Sequence, residues 1–100
     1  MSVLELARIF VKDGSQEEFE TAFTQAHGYV QAAEGHESSE LVKSTSSDTE
    51  YVFLVRWRHL ADHIDSFLPS PEFAAFGGLI GPYFAAEPAV DHFQTVKGVS

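Results

Sequence analysis

Two segments of this chain carry apolar side chains on both faces of an extended strand. In residues 3–11, Leu4, Leu6 and Phe10 alternate with Val3, Ala7, Ile9 and Val11. In residues 50–58, Val52 and Leu54 alternate with Tyr51, Phe53, Val55 and Trp57. An antiparallel sheet with one face in water usually alternates apolar with polar residues. Both faces of the sheet formed by these strands must therefore be covered.

The remaining elements predict an α+β, ferredoxin-like β-α-β-β-α-β fold with an antiparallel sheet, in a single domain spanning residues 1–100. The first helix starts at a capping box, Ser15 to Glu18, and stops at Gly35. A short second helix covers 61–68, and Ser70 with Pro71 starts a further helical turn. The predicted strands are 3–11, 36–44, 50–58 and 88–96, and residues 1–2 and 97–100 are expected to fray.

Two helices can cover only one face of a four-stranded sheet, and this chain offers no third layer. A second copy, packed sheet to sheet, would cover the other face. The sequence therefore predicts a homodimer through the sheet face that lies away from the helices.

Composition narrows the classes of partner. Fifteen acidic residues against six basic ones give a formal net charge of -9, which disfavours nucleic acid and anionic membranes. The chain has no Cys, so it forms neither a disulfide framework nor a thiolate metal site. It contains no apolar run of membrane-spanning length, and its start lacks a basic leader region. We expect a cytoplasmic protein.

Several short motifs, in this order and spacing, resemble one family. They are Ala33-Glu34-Gly35 before strand two, Tyr51-Val52 and Trp57 on strand three, Ser70-Pro71-Glu72-Phe73, Pro82-Tyr83-Phe84 and Pro88. Together they are similar to the antibiotic biosynthesis monooxygenase family of dimeric α+β barrels, over nearly the whole chain.

The resemblance implies a monooxygenase that acts on a small quinol-like or anthrone-like aromatic substrate without metal or flavin. Some members instead degrade heme, with an axial His where this chain has Gly77. Other family histidines fall at Phe67 and Glu72. We therefore expect no heme, flavin or metal cofactor. A non-catalytic dimer that binds a small molecule is the alternative.

The expected pocket lies between the sheet and the helices. Trp57, Phe67 and Phe73 would form its walls, because aromatic rings stack on planar ligands. His63 is the candidate base and Tyr83 the candidate donor to a substrate oxygen. A metal shared by His59 and His63 would need a third ligand that the sequence does not show.

Arg8 is the remaining candidate. It follows Leu6 and precedes Phe10 at period two, which is an unusual position for a guanidinium. Arg8 would either pair with an acidic residue such as Glu5 or Glu40, or bind a substrate oxyanion in the pocket. His92 is expected at the core edge or in the dimer interface.

Overall fold

The structure, a computed structural model, describes residues 2–99. Four strands, β1 (Val3–Phe10), β2 (His36–Lys43), β3 (Glu50–Trp57) and β4 (Ala89–Phe93), form one antiparallel sheet in the order β2-β3-β1-β4. Two helices, α1 (Gln16–Gln31) and α2 (Pro71–Ile80), pack on the sheet, with a π-helical turn at Asp62–Phe67 and a 3₁₀ turn at Gly81–Tyr83. This is the predicted ferredoxin-like arrangement. Met1 and Ser100, two of the residues expected to fray, lie outside the described residues.

Helix α1 forms from the predicted apolar stripe. Its buried residues are Phe19, Ala22, Phe23, Ala26 and Val30. The capping box is not formed, because the Ser15 side chain makes no capping hydrogen bond; the Ser15 carbonyl instead accepts from the amide of Phe19 at 2.9 Å. The helix ends before Gly35, which lies in the turn into β2 with a φ of +85°. The burial pattern therefore determines this helix more than its cap does.

The two faces of the sheet have different surroundings. On the helix-facing side, the residues from Tyr51 to Trp57 at every second position are buried, and Phe19 of α1 packs on Tyr51. On the opposite side, Leu4, Leu6 and Leu54 are only half-buried, and Phe10 is exposed. No helix within residues 2–99 covers that side.

The segment between β3 and α2 differs from the short helix that was predicted at residues 61–68. It winds as a π-helix over Asp62–Phe67, where the amide of Leu68 donates to the carbonyl of His63 at 2.9 Å. Wide turns of this kind occur frequently at functional sites. The turn directs Asp62, His63 and Phe67 into the protein interior.

Asp62 anchors the start of this turn. Its carboxylate accepts from Arg58 Nη2 at 2.9 Å and from the amide of His59 at 3.0 Å, and the Arg58 hydrogen bond keeps the pKa of Asp62 below its usual value. The carboxylate lies directly over Gly35, where a Cβ atom would be 2.3 Å from the Asp62 Cγ atom. Gly35 is therefore required both for its backbone conformation and for its lack of a side chain.

At the next junction, the side chain of Ser70 accepts from the amide of Phe73 at 3.1 Å, and Pro71 begins α2. The last strand is shorter than the predicted 88–96, because it pairs with β1 only from Ala89 to Phe93. None of the helices in the described part of the chain is both long enough and apolar enough to cross a membrane.

Candidate active site

A cavity of about 120 Å³ lies between the sheet and the helices. Its walls are mainly aromatic and aliphatic: Phe53, Trp57, Phe67, Phe73, Phe76, Ile80 and Phe84. Wider grooves on the surface, such as one beside Glu20 and Lys43, are more open to solvent and more polar. A dry apolar cavity of about 150 Å³ is large enough to hold benzene. The cavity therefore has the scale of one aromatic ring.

Two polar side chains, Glu5 and His63, lie side by side in the lining of this cavity, and both are buried. Oε1 of Glu5 accepts a hydrogen bond from Trp57 Nε1 at 2.9 Å, and it lies 3.3 Å from His63 Nε2. The imidazole of His63 stacks on the indole of Trp57, with 5.2 Å between ring centroids and 15° between ring planes. Trp57 therefore contacts both polar groups.

A second imidazole completes the polar cluster. Nδ1 of His63 lies 2.8 Å from Nε2 of His92, which is half-buried on β4. Burial, and secondarily the proximity of His92, lowers the pKa of His63 to about 4. Burial raises the pKa of Glu5, although the hydrogen bond from Trp57 opposes that shift. His63 is thus neutral at neutral pH, and Glu5 is a stronger base than an exposed carboxylate.

Four of the candidate residues named from the sequence line this cavity: Trp57, Phe67, Phe73 and His63. They reach it from three different local structures. Trp57 is the last residue of β3, His63 and Phe67 lie on the π-helical turn, and Phe73 lies in the first turn of α2.

Tyr83 does not line the cavity, contrary to expectation. It borders a surface groove beside Glu17 and Thr21 of α1. The 3₁₀ turn ends at Tyr83 and the chain becomes extended at Phe84, so Phe84 lines the cavity in its place. A phenol at this position has no access to a ligand beside Trp57.

Arg8 is also absent from the cavity lining. Because side chains alternate along β1, Arg8 points to the sheet face opposite to that of Glu5 and Ala7. It pairs with Glu50 on β3 at 3.6 Å, so pairing was the correct alternative but Glu5 and Glu40 were the wrong partners.

Gly77 and Glu72 occupy two positions at which members of the family that this chain resembles carry a histidine. Gly77 lines the cavity and offers no ligand atom, whereas Glu72 is exposed in a different groove. His59 is exposed while His63 is buried, so the two imidazoles do not face one point. Within residues 2–99, no cluster of three or more His, Asp or Glu side chains is arranged to hold a metal ion.

Sequence reasoning did not assign Glu5 and His92 to the site. The signal for Glu5 was present, because it is the one charged residue in the inward-facing register Val3, Glu5, Ala7, Ile9. His92 had no comparable signal. It lies directly opposite Glu5 in the pairing of β4 with β1, and that register is a property of the folded sheet.

Comparison with known proteins places this architecture in a family. The family model for antibiotic biosynthesis monooxygenase matches residues 2–78. An uncharacterized Bacillus subtilis protein, YczJ, is 34% identical over 94 residues, which cover 94% of this chain and 99% of the relative. This relative therefore matches the chain over nearly its full length.

Solved structures show the same fold. A structure from Bordetella bronchiseptica with the same family description superposes with a TM-score of 0.91 at 30% identity, covering 95% of this chain and 97% of that one. SnoaB, a cofactor-independent oxygenase from Streptomyces nogalater, gives a TM-score of 0.83 at 19% identity over 96% of this chain and 94% of its own. The chain belongs to the antibiotic biosynthesis monooxygenase family.

Proposed function

We propose that this protein is a cofactor-independent monooxygenase for a small aromatic substrate that has an acidic hydroxyl or CH group. The observation that carries this proposal is the apolar cavity beside Trp57, whose polar lining residues are Glu5 and His63. Its walls suit a planar ring, and its polar lining residues suit the group that loses a proton. The similarity of fold to SnoaB, a cofactor-independent oxygenase, supports the same choice.

The chemistry requires only dioxygen as co-substrate. For an anthrone-like CH₂ group, loss of a proton gives a carbanion that transfers electrons to O₂ and forms a C–O bond. The resulting peroxide anion takes up that proton. The remaining C–H bond then breaks together with the O–O bond, so that the carbon becomes a ketone and the released proton and hydroxide leave as water. One oxygen atom then remains as a ketone, and the second departs as water. The balance is CH₂ plus O₂ giving C=O plus H₂O.

The protein contributes a site that excludes water and holds the acid–base groups in place. An apolar cavity strengthens each electrostatic interaction within it. The cavity volume of about 120 Å³ favours a substrate with one aromatic ring over a three-ring anthrone, which would require the walls to move apart. Gly77, which lines the cavity, has no side-chain atom that could bind heme iron.

We also propose that the functional unit is a homodimer, a dimeric α+β barrel joined through the outer sheet face. That face carries Leu4, Leu6, Phe10, Val52, Leu54 and Phe93, of which Phe93 is 49% exposed in the protomer. These apolar side chains lie among the charged residues Arg8, Arg56 and Asp91 of the same face. A sheet face that no helix covers and that exposes several large apolar side chains marks an interaction site.

Oxygen uptake tests the proposed reaction. Anthrone, β-tetralone and hydroquinone would be added to the protein in an oxygen-electrode cell, and the autoxidation rate without protein would be subtracted. With labelled O₂, a monooxygenase places one labelled atom in the ketone product and the other in water. Tyr83→Phe is the matched control, because Tyr83 borders a different groove.

The alternative function predicts a different pattern. A binding protein would take up these aromatics, quenching the fluorescence of Trp57, the only tryptophan of the chain, without accelerating oxygen uptake. That result, with all three probes, would contradict the monooxygenase proposal.

A further inference from the structure

Glu5 provides the only carboxyl group among the described residues that line the cavity. Both of its close contacts, with Trp57 Nε1 and with His63 Nε2, use the same oxygen, Oε1. The other oxygen, Oε2, makes no hydrogen bond to the described residues and is not fully buried, so it is available to a ligand. One oxygen of this carboxylate is anchored and the other is open.

His63, in contrast, has no ring nitrogen that is left for a ligand. Its Nε2 faces Glu5 and its Nδ1 faces His92, so both ring nitrogens are occupied by protein groups. A general base needs a lone pair within hydrogen-bond reach of the substrate proton. The geometry of His63 therefore fits a residue that holds another group in place.

The neighbours of His63 also determine its tautomer. Beside an ionised Glu5, a proton on Nε2 places an N–H next to the carboxylate, and Nδ1 then accepts from His92 Nε2–H. In the opposite tautomer, with the proton on Nδ1, the lone pair of Nε2 would face a lone pair of Oε1 of Glu5. We therefore assign the Nε2–H tautomer to His63 in the resting site.

We propose that Glu5 is the catalytic base of this site, that its Oε2 takes the substrate proton, and that Trp57 and His63 are positioning residues that hold Oε1. This inference rests on the proposed monooxygenase function. The proton moves from the substrate carbon or hydroxyl to Oε2, and Glu5 returns it to the peroxide. For a CH₂ group, the second C–H proton leaves as the O–O bond breaks, and it combines with the departing hydroxide to form water. The cycle has no net gain or loss of protons, so the buried site needs no proton from solvent.

The environment of Glu5 supports this role. Burial raises the pKa of Glu5, which brings its proton affinity closer to that required at neutral pH. The titratable groups that face it are His63 from the π-helical turn and, one contact further, His92 from β4. No Lys or Arg side chain lines the cavity within residues 2–99.

Proton abstraction can be measured separately from oxygenation. Under anaerobic conditions in D₂O, a base in the cavity exchanges the acidic CH₂ protons of β-tetralone for deuterium, which proton NMR follows. In Glu5→Gln, which keeps the size of the side chain and an acceptor for Trp57, we expect the exchange rate to fall at least 100-fold. Binding, followed by Trp57 fluorescence, should change less than threefold.

Two further variants separate a base from a structural residue. Glu5→Asp keeps the carboxylate but withdraws it by one methylene. We therefore expect an exchange rate between those of the wild type and Glu5→Gln. His63→Phe keeps the stacking on Trp57 but removes the contact to Oε1, so the pKa of Glu5 should rise and the acidic limb of the exchange profile should move to higher pH.

The outcomes distinguish the two proposals. Exchange in Glu5→Gln within threefold of wild type, with oxygen uptake intact in both proteins, would overturn the role of Glu5 and leave the monooxygenase function standing. Exchange that depends on Glu5 without any oxygen uptake would support Glu5 as a base and contradict the monooxygenase. Absence of exchange in the wild-type protein with bound β-tetralone would overturn the role of Glu5 directly.

Discussion

The indole Nε1–H of Trp57 donates to Oε1 of Glu5 over 2.9 Å, linking two adjacent strands within the buried face of the sheet. In the pairing of β1 with β3, Glu5 lies opposite Val55, so Trp57 is its diagonal neighbour. Long aromatic side chains reach across this diagonal. The contact satisfies the indole N–H and holds a carboxylate in the lining of an apolar cavity.

Trp57→Phe should therefore destabilise the protein by more than the loss of buried side-chain volume alone would. A buried carboxylate that loses one donor costs about 1–3 kcal/mol. The pKa of Glu5 should also rise, because the hydrogen bond from Trp57 lowers it in the native protein. Urea denaturation followed by circular dichroism measures the first effect, and a carboxyl carbon NMR titration measures the second. An unchanged Glu5 titration would show that the hydrogen bond is not formed in solution.

Trp57→Ala should weaken the binding of an aromatic ligand more than tenfold. The lost stacking contact and the lost burial together amount to roughly 1.5 kcal/mol or more. Calorimetry with β-tetralone measures this effect without the tryptophan signal. Tyr83→Phe, in a different groove, should bind like the wild type. A larger loss in Tyr83→Phe than in Trp57→Ala would mean that the cavity is not the binding site.

Gly35→Ala should be more destabilising than Gly14→Ala, although both glycines have a φ near +86°. Each alanine would incur about 1 kcal/mol of backbone strain. At Gly35 the new Cβ also meets the Asp62 carboxylate, whereas nothing lies within 4 Å at Gly14. We expect Gly35→Ala to lose more stability than Gly14→Ala, because displacing Asp62 breaks its part-buried hydrogen bonds with Arg58 and with the amide of His59. Equal losses in thermal or urea denaturation would contradict this.

Acidification should destabilise the protein through His63. The folded pKa of about 4 lies below the ordinary value of 6.5, so the folded state binds fewer protons than the unfolded state between these values. The stabilisation is complete above pH 6.5 and is lost as the pH falls towards 4. The shift corresponds to about 3 kcal/mol in the free energy of unfolding. Protonation of Glu5 acts in the opposite direction over part of this range, because its folded pKa is raised.

Comparison of wild type with His63→Phe isolates this effect. The free energy of unfolding of the variant should fall less between pH 6.5 and 4 than that of the wild type. Proton NMR of the wild-type imidazole should show a midpoint near 4 for His63. Parallel pH dependence in the two proteins would contradict a neutral buried His63.

Leu6→Asp should convert the proposed dimer into a monomer. Leu6 lies on β1, an interior strand of the sheet, and points away from the helices, and its direct neighbour on β4 is Asp91. A second carboxylate there would be buried beside a like charge in a sheet-to-sheet interface. Light scattering at micromolar concentration should give twice the chain mass for the wild type and the chain mass for the variant. Leu60→Asp, exposed and outside the sheet, is the matched control. A stable monomeric wild type would rule out the interface.

The sequence alone determined the order of the elements and the apolar faces of α1, β1 and β3. These features follow from side-chain periodicity, which is local: a period of two predicts a strand and a period of 3.6 predicts a helix. Trp57, Phe67 and Phe73 were assigned to one pocket because the spacing of the motifs resembles that of a family with this fold.

Only the tertiary structure decided which polar groups meet. Sheet register brought Glu5 beside Trp57 and opposite His92, and the π-helical turn directed His63 inward between them. The 3₁₀ turn placed Phe84 in the cavity lining where Tyr83 was expected, and strand alternation put Arg8 on the outer face. These relationships depend on pairing between distant segments and on small differences in turn geometry. Local periodicity does not encode them, because the same local pattern is compatible with several registers and turns.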